Sequence, residues 1–592
     1  MATVGEALTQ AAQCQAEGSA AEAEMLYRAI LDQFPDLPEA LNGLGIALFG
    51  QGERAAGAAL VQAATAKSPS EPVFHSNAVE MLVALNRPLE AASHLERIIA
   101  LLPEPAPDLI GRLGQLLLGD PTRTDEAIAI LERALALGCD DVYLFAELAG
   151  VYSEAGRFEE SIATYRKGLA RHPDAAWMFS NMLVTIMMVS TYSARQVFEA
   201  HLEFGEAYEP LFRGRIKPHR NSPDPNRVLR IGYLSPNFRG HILMMNILPV
   251  LREHDRSKVS VHVFAHVPEP DSVTRKVMEA CDDFVFIHKM DDDAVADLVR
   301  EREIDILVHP MGHWADNRLL VFARKPAPIQ VNYTCNSPTM GMRSFDYMFV
   351  DRWLDFDDSL QEFAVETLYR LEHGFVTTEY AIAPRIAPPP CLENGHVTFG
   401  SFNNPAKLSD KTLTLWTRVM AMVPNARLLI KGGKIDTPGF ADHLRARVAR
   451  FGIDPSRLSL LGHMGSYEDH LLAHNQVDIF LDSLPFGGGR TTEDAIWMGC
   501  PVVTLVGPEL HGRNTANRHL RLGTPELCAH GEDDYVAICA ALAADPERLS
   551  FYRANLRDIW LRSSLTDYRT HADDLERAYR DIWQLWCAEQ RP

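Results

Sequence analysis

Three consecutive glycines, Gly487-Gly488-Gly489, followed by Arg490-Thr491-Thr492, are the residues best placed for chemistry. They join an apolar run, VDIFLD (477–482), to a helical stretch, RTTEDAIWMG (490–499). Glycines let a backbone approach a phosphate closely, and a helix start offers N–H groups and the positive end of a dipole. Thr491 and Thr492 can equally cap that helix, with Asp494 in its first turn. No GKS or GKT follows, so the loop is not of the Walker type. A second cluster, FGSFNN (399–404), ends another apolar run, and Lys407 follows after two intervening residues. A lysine just past a strand end can reach a pyrophosphate across a cleft. Asn404 stands beside it. His241 follows the run RIGYLS (230–235), and His309 and His313 follow IDILV (304–308). Two metal patterns are weak. Asp355-Phe356-Asp357 lies in an acidic loop read as solvated. His470 and His474 have helical spacing but no third ligand.

Such groups must be carried by rigid elements. Short apolar, β-branched runs occur at 228–235, 259–266, 284–288, 304–310, 328–334 and 347–351, and again at 396–402, 426–432, 457–463, 477–483 and 501–507. Helical segments separate them, which predicts βαβ units and two parallel sheets. PRIAPPPCLENG (384–395) divides the two sets, and PHRNSPDPNR (218–227) precedes the first as a linker. Two facing lobes of this kind form a cleft at the carboxyl ends of their strands.

The first third is different. Pro35, Pro69 and Pro103 are 34 residues apart, and Pro173 lies 34 after Cys139, which stands two residues off the proline slot. A 34-residue period is that of tetratricopeptide repeats. The trios Ala23, Tyr27, Ile30; Gly57, Val61, Ala64; Ala91, Leu95, Ile98; Ala127, Leu131, Ala134; and Ser161, Tyr165, Gly168 each share one helical face. Five repeats are expected over about residues 4–175, stacked into a superhelix whose groove takes a protein partner. The expected organisation is repeats at 1–175, a helical linker at 176–226, a first lobe at 227–390, and a second lobe with C-terminal helices at 391–592.

Composition narrows the function. The 592 residues are 47% hydrophobic and 23% charged, as in soluble globular proteins. The net charge is −22, and residues 1–200 carry 26 acidic and 13 basic side chains, so over half of it sits there. That balance argues against a nucleic-acid binder, which needs a basic face. Nine cysteines without a CxxC fit scattered reduced thiols. MATVGEALTQ lacks a signal-peptide pattern, and the apolar stretch Met182–Val189 is too short to span a bilayer, so a cytoplasmic protein without membrane insertion is expected.

The segments GHWADNRLLVFARKPAPIQV (312–331), FGSFNN-x-x-K, PNARLLIK (424–431) and WMGxPVVTL (497–505), in this order behind the repeats, resemble the protein O-glycosyltransferases typified by the O-linked N-acetylglucosamine transferase and SPINDLY. The resemblance covers nearly the whole chain. It implies an α-solenoid followed by a GT-B fold of two Rossmann-like domains, and an inverting transferase that needs no metal or other cofactor. It implies a nucleotide-sugar donor held mainly by the second lobe and a protein serine or threonine as acceptor. By the same resemblance His241 is the active-site histidine and Lys407 the phosphate-binding lysine that stabilises the leaving group. Asn404 lies near the phosphates, and His470 is a donor-site histidine. Gly488, Gly489, Thr491, Thr492 and Asp494 hold phosphate and ribose.

The sequence also departs from that family. Arg490 stands where the family usually has threonine, Ala473 where it often has arginine, and His309 where it commonly has aspartate or asparagine. The loop 332–338 lacks the usual tryptophan and glycine. A guanidinium fork suits a carboxylate or phosphate, so Arg490 raises an acidic-sugar donor: a nonulosonic acid carried on CMP and delivered to bacterial flagellin. UDP-N-acetylglucosamine or GDP-fucose donors, and a repeat scaffold with a decayed transferase half, stand as the alternatives.

Overall fold

The computed structural model describes residues 3–333, 337–433 and 435–590. Thr334, Cys335 and Asn336, the middle of the divergent loop, lie outside the described residues. The chain forms two compact units, Met1–Val151 with Thr437–Phe440, and Tyr152–Asp436 with Ala441–Pro592.

The first unit is a series of antiparallel helix pairs. The first helices of successive pairs are Val4–Ala16, Pro38–Gly50, Pro72–Ala84, Pro107–Leu117 and Val142–Glu154. Their partners are Ala20–Gln33, Arg54–Lys67, Pro88–Leu101 and Thr124–Ala136, and the fifth partner, Phe158–Arg171, falls in the second unit. Every residue of the five phased trios is buried. The glycines are there for contact: a Cβ on Gly45 would lie 2.7 Å from the Gly57 carbonyl oxygen, where no side chain fits.

The second unit contains two parallel sheets. In the first, β1 (Leu229–Ser235), β2 (Val259–Ala265), β3 (Asp283–Phe286), β4 (Ile306–His309), β5 (Ile329–Asn332), β6 (Tyr347–Asp351) and β7 (Thr367–Leu371) run in the order 3-2-1-4-5-6-7. In the second, β8 (Thr398–Ser401), β9 (Arg427–Lys431), β10 (Leu458–Leu461), β11 (Ile479–Leu481), β12 (Val502–Leu505) and β13 (Cys528–Ala529) run in the order 10-9-8-11-12-13. Each order reverses once, between β1 and β4 and between β8 and β11. Those are the switch points where doubly wound sheets open a crevice for ligands. Two strands are additional to the eleven runs in the sequence. TLYRL (β7) is an edge strand in which only Leu368 and Leu371 are buried, and β13 is only two residues long.

The last helix, Tyr568–Glu589, follows the second lobe in sequence but packs on the first. Leu575, Ala578, Tyr579, Ile582 and Trp583 join the core around Ile231, Tyr233, Val261 and Ile306. The Tyr233 and Tyr579 hydroxyls are 2.9 Å apart. The sequence reading set this helix with the second lobe. An amphipathic helix announces that it has a buried face, not which sheet receives it.

Candidate active site

The four loops that leave β1, β4, β8 and β11 meet around one cleft of about 530 Å³. Pro236, Asn237, Arg239 and His241 come from the first loop, and Met311, Trp314 and Asp316 from the second. Asn403, Asn404 and Lys407 come from the third, and Phe486, Gly489, Arg490 and Thr491 from the fourth. The cleft thus lies at both switch points at once.

The glycine turn is held by its own backbone. The Gly488 N–H donates to Asp482 Oδ1 at 2.7 Å, and the Gly487 N–H to the His511 carbonyl at 3.2 Å. A Cβ on Gly488 would sit 2.3 Å from Thr492 Oγ1, so only glycine fits. Helix Arg490–Trp497 begins at Gly489 with no side-chain cap. Neither threonine supplies one: Thr491 Oγ1 donates to Asn403 Oδ1, and Thr492 Oγ1 meets Thr515 Oγ1 at 2.8 Å. A helix start without a side-chain cap, on the wall of a cleft, keeps its first N–H groups and its dipole for an anion. Lys407 approaches the same wall. Its Nζ donates to the Gly487 carbonyl at 3.0 Å and lies 4.0 Å from the centre of the Phe486 ring. Asn404 is exposed and uses its Oδ1 to accept the Ala406 N–H at 3.1 Å.

His241 faces this wall from the first lobe. The ring is exposed at the cleft, yet partial loss of water around it first, and then the charge of Arg239, lower its pKa from the ordinary histidine value. Its Nδ1 accepts the Leu243 N–H at 3.2 Å. A neutral imidazole whose Nδ1 accepts must carry its proton on Nε2. His241 therefore presents a donor to the cleft and has no free lone pair for a general base. Accordingly, His241→Gln, which keeps an N–H donor, should retain turnover within roughly tenfold of wild type, whereas His241→Ala should lose on the order of 100-fold. Equal losses in steady-state rates for the two variants would show that the N–H donor is not what His241 contributes. Because the depressed pKa keeps the ring neutral above pH 6.5, its protonation should reduce activity only as pH falls below that value.

Of the residues singled out in the sequence, His241, Asn404, Lys407, Gly489, Arg490 and Thr491 line the cleft, while Gly488, Thr492, His470 and Asp494 do not. Asp494 is buried behind the wall. It accepts hydrogen bonds from Tyr467 at 2.7 Å and Tyr380 at 3.0 Å and lies 2.9 Å from Arg490 Nε. His470 Nε2 is 3.3 Å from Asp494 Oδ2, and Lys431 Nζ donates to His470 Nδ1 at 2.9 Å. Arg490 is the main correction. Its guanidinium lies 4.2 Å from the Tyr380 ring centre, donates to the Tyr467 hydroxyl, and sits 3.4 Å from Glu493 Oε2. The fork expected to select an acidic sugar is occupied by partners within the chain.

The remaining candidates are structural. His309 Nε2 meets the Gly312 carbonyl, and His313 bridges Ser180 and the Met340 carbonyl. Both rings are fully buried, and burial lowers both pKa values, His309 to about 4. Asp355 is buried rather than solvated, while Asp357 is exposed as the acidic loop suggested, and both are ion-paired. Asp355 pairs with Arg370, and Asp357 with Arg513 at 2.7 Å. His474 is a buried neutral ring. Among the described residues no group of three or more metal-ligating side chains exists.

Sequence reasoning overlooked several cleft residues: Asn237, Trp314, Tyr333, Phe486, Glu493 and Arg518. Tyr333 donates to the Phe375 carbonyl at 2.9 Å, and Arg518 pairs with Glu493 at 2.9 Å. Phe486 had a signal, since an apolar ring immediately before three glycines has little other reason to stand there. Glu493 and Arg518 had none, because they are 25 residues apart and meet only in the fold.

Comparison with known proteins agrees with this geometry. The profile of glycosyl transferase family 41 matches residues 211–383 and 390–575, more than half of the chain, and a tetratricopeptide repeat profile matches 122–179. The chain is 34% identical over 426 residues to the probable UDP-N-acetylglucosamine–peptide N-acetylglucosaminyltransferase SPINDLY of Arabidopsis thaliana, covering 71% of this chain and 46% of that protein. It is 33% identical to the SPINDLY protein of Oryza sativa subsp. japonica over 439 residues, covering 73% and 47%. The chain thus spans about half the length of these curated relatives. A solved structure of a lysine-to-methionine mutant of the Thermobaculum terrenum O-GlcNAc transferase superposes with a TM-score of 0.70 at 27% identity, covering 100% of both chains.

Proposed function

The chain belongs to glycosyl transferase family 41, and on that premise we propose that it transfers a sugar from a nucleotide-diphosphate donor to a serine or threonine hydroxyl of a protein. The observation that carries this reading is the convergence of the Lys407 ammonium and the uncapped start of helix Arg490–Trp497 on one cleft wall. A transferase must stabilise the negative charge that gathers on its leaving group as the glycosidic bond breaks. A cation and a set of backbone N–H groups in a half-dry cleft are suited to that. The acceptor oxygen forms the new bond to the anomeric carbon as the bond to the diphosphate breaks on the opposite face, the hydroxyl proton passing to solvent and the electron pair of the broken bond leaving with the diphosphate. His241 Nε2–H donates to sugar or acceptor from the first lobe.

N-acetylglucosamine on UDP is the first donor to test, since the relatives' names state it and Arg490 gives no reason against it. A CMP-linked nonulosonic acid delivered to flagellin was the finer expectation. It rested on a free guanidinium fork, and the partners of Arg490 remove that support. The repeats take the protein acceptor in this reading, as stacked helix pairs present an extended groove.

A thermal-shift screen against UDP-, GDP- and CMP-linked sugars separates these donors. A ligand at 100 times its Kd that binds only the native state stabilises it by about 2.7 kcal/mol. UDP-N-acetylglucosamine should raise the melting temperature and CMP-linked sugars should not. A shift with the CMP-linked sugars alone would reverse the assignment.

A further inference from the structure

We infer that Phe486 is a positioning residue for Lys407: the face of its ring, with the Gly487 carbonyl, fixes the ammonium at the place where the donor's diphosphate must sit. This rests on the donor reading proposed above and extends it to a residue that the reaction itself does not touch.

The ring is 2% exposed and stands between two different surroundings. On one side is Lys407 Nζ, 4.0 Å from the ring centre. On another is His511, with ring centres 5.3 Å apart. That imidazole is fully buried and neutral, its pKa pushed down to about 3 by burial, with the charges of His201 and Lys407 adding to the effect. From the first lobe, Trp314 meets Phe486 edge-on at 6.3 Å. The turn fixes the ring in turn, because the Phe486 carbonyl accepts the Ser483 hydroxyl at 2.8 Å.

A lysine is a compact charge on a flexible stem. Left to itself it samples many rotamers, and a phosphate must pay to collect it. An aromatic face attracts the ammonium through the ring quadrupole without consuming a phosphate's place as hydrogen-bond acceptor. The Gly487 carbonyl takes one of the lysine's three N–H donors. Leucine would fill much of the same volume but offers no quadrupole. Phe486 therefore acts through Lys407, and Trp314 extends the contact to the opposite lobe.

The test uses the full-length chain, with UDP as the probe and affinity read by calorimetry. Incorporating pentafluorophenylalanine at 486 keeps the ring's shape and reverses its quadrupole, so packing is held while the attraction is lost. UDP affinity should fall roughly tenfold, with Phe486→Leu close to it and the melting temperature of the fluorinated protein unchanged. In a Lys407→Ala background the same fluorinated substitution should change UDP affinity by less than about twofold, since coupled residues are not additive. Unchanged affinity in the fluorinated protein, or an equal loss without Lys407, would overturn the inference even if Phe486→Leu failed to fold. Failure of the unmodified chain to bind any nucleoside diphosphate would instead overturn the donor reading, and this inference with it.

Discussion

Lys407→Ala is expected to slow sugar transfer by a factor on the order of 100 or more, because removing one preorganised group that stabilises developing charge has that effect. The lysine follows β8 by a short turn, and its ammonium contacts the Gly487 carbonyl and the Phe486 ring. It stands on the cleft wall where the donor's phosphates are proposed to bind. The loss should appear in kcat for donor hydrolysis as well as for transfer, since both break the same bond. The fold should survive, because the side chain is only half-buried and its truncation leaves no buried charge behind. Single-turnover rates with labelled donor measure this directly. A rate near that of the unaltered chain would remove Lys407 from the mechanism.

The largest structural effect is expected at Asp494. Replacing it with alanine leaves the buried Arg490 without its closest carboxylate and strips the Tyr380 and Tyr467 hydroxyls of their acceptor. Breaking a buried pair from one side costs about 3–5 kcal/mol. Burial alone would push the Asp494 carboxyl up, but Arg490 foremost, with His470 and Tyr467, outweighs it and holds the pKa below the ordinary aspartate value. For a carboxylate with a depressed folded pKa, the stabilisation is present above the unfolded value and is lost as pH falls through the folded one. The gap between the unaltered chain and Asp494→Ala should therefore be constant from pH 5 to pH 8 and shrink only below about pH 4. Urea unfolding followed by tryptophan fluorescence is a suitable measurement. Trp497 stacks on Tyr380 at 4.2 Å, and Tyr380 lies against Arg490, so the probe reports on this cluster. A difference under about 1 kcal/mol would show the network to be as weak as an exposed ion pair.

What the sequence discloses and what it withholds follow from the range of the interactions involved. The repeat phases and the eleven main strands are periodic over short windows, so local pattern is enough to place them. The cleft was legible for a related reason. A parallel sheet puts its loops at one end, and the loops at reversals of strand order are the four that carry His241, Trp314, Lys407 and Arg490. Arg490 shows the limit. Its position at a helix start was readable, but its partners Tyr380 and Tyr467 come from 110 and 23 residues away, and the free fork existed only in one dimension. His309 and His313 show the same limit. A strand end predicts where the backbone is, while the direction of the imidazole depends on Ser180, Gly312 and Met340.

The measurement that bears most directly on the donor site is a crystal structure of the full chain with UDP. The phosphates should lie between Lys407 Nζ and the backbone N–H groups at the start of helix Arg490–Trp497, within hydrogen-bond distance of both, with the Arg490 guanidinium still on Asp494. UDP bound elsewhere, or phosphates that displace Arg490 from Asp494 and leave Lys407 untouched, would contradict that assignment.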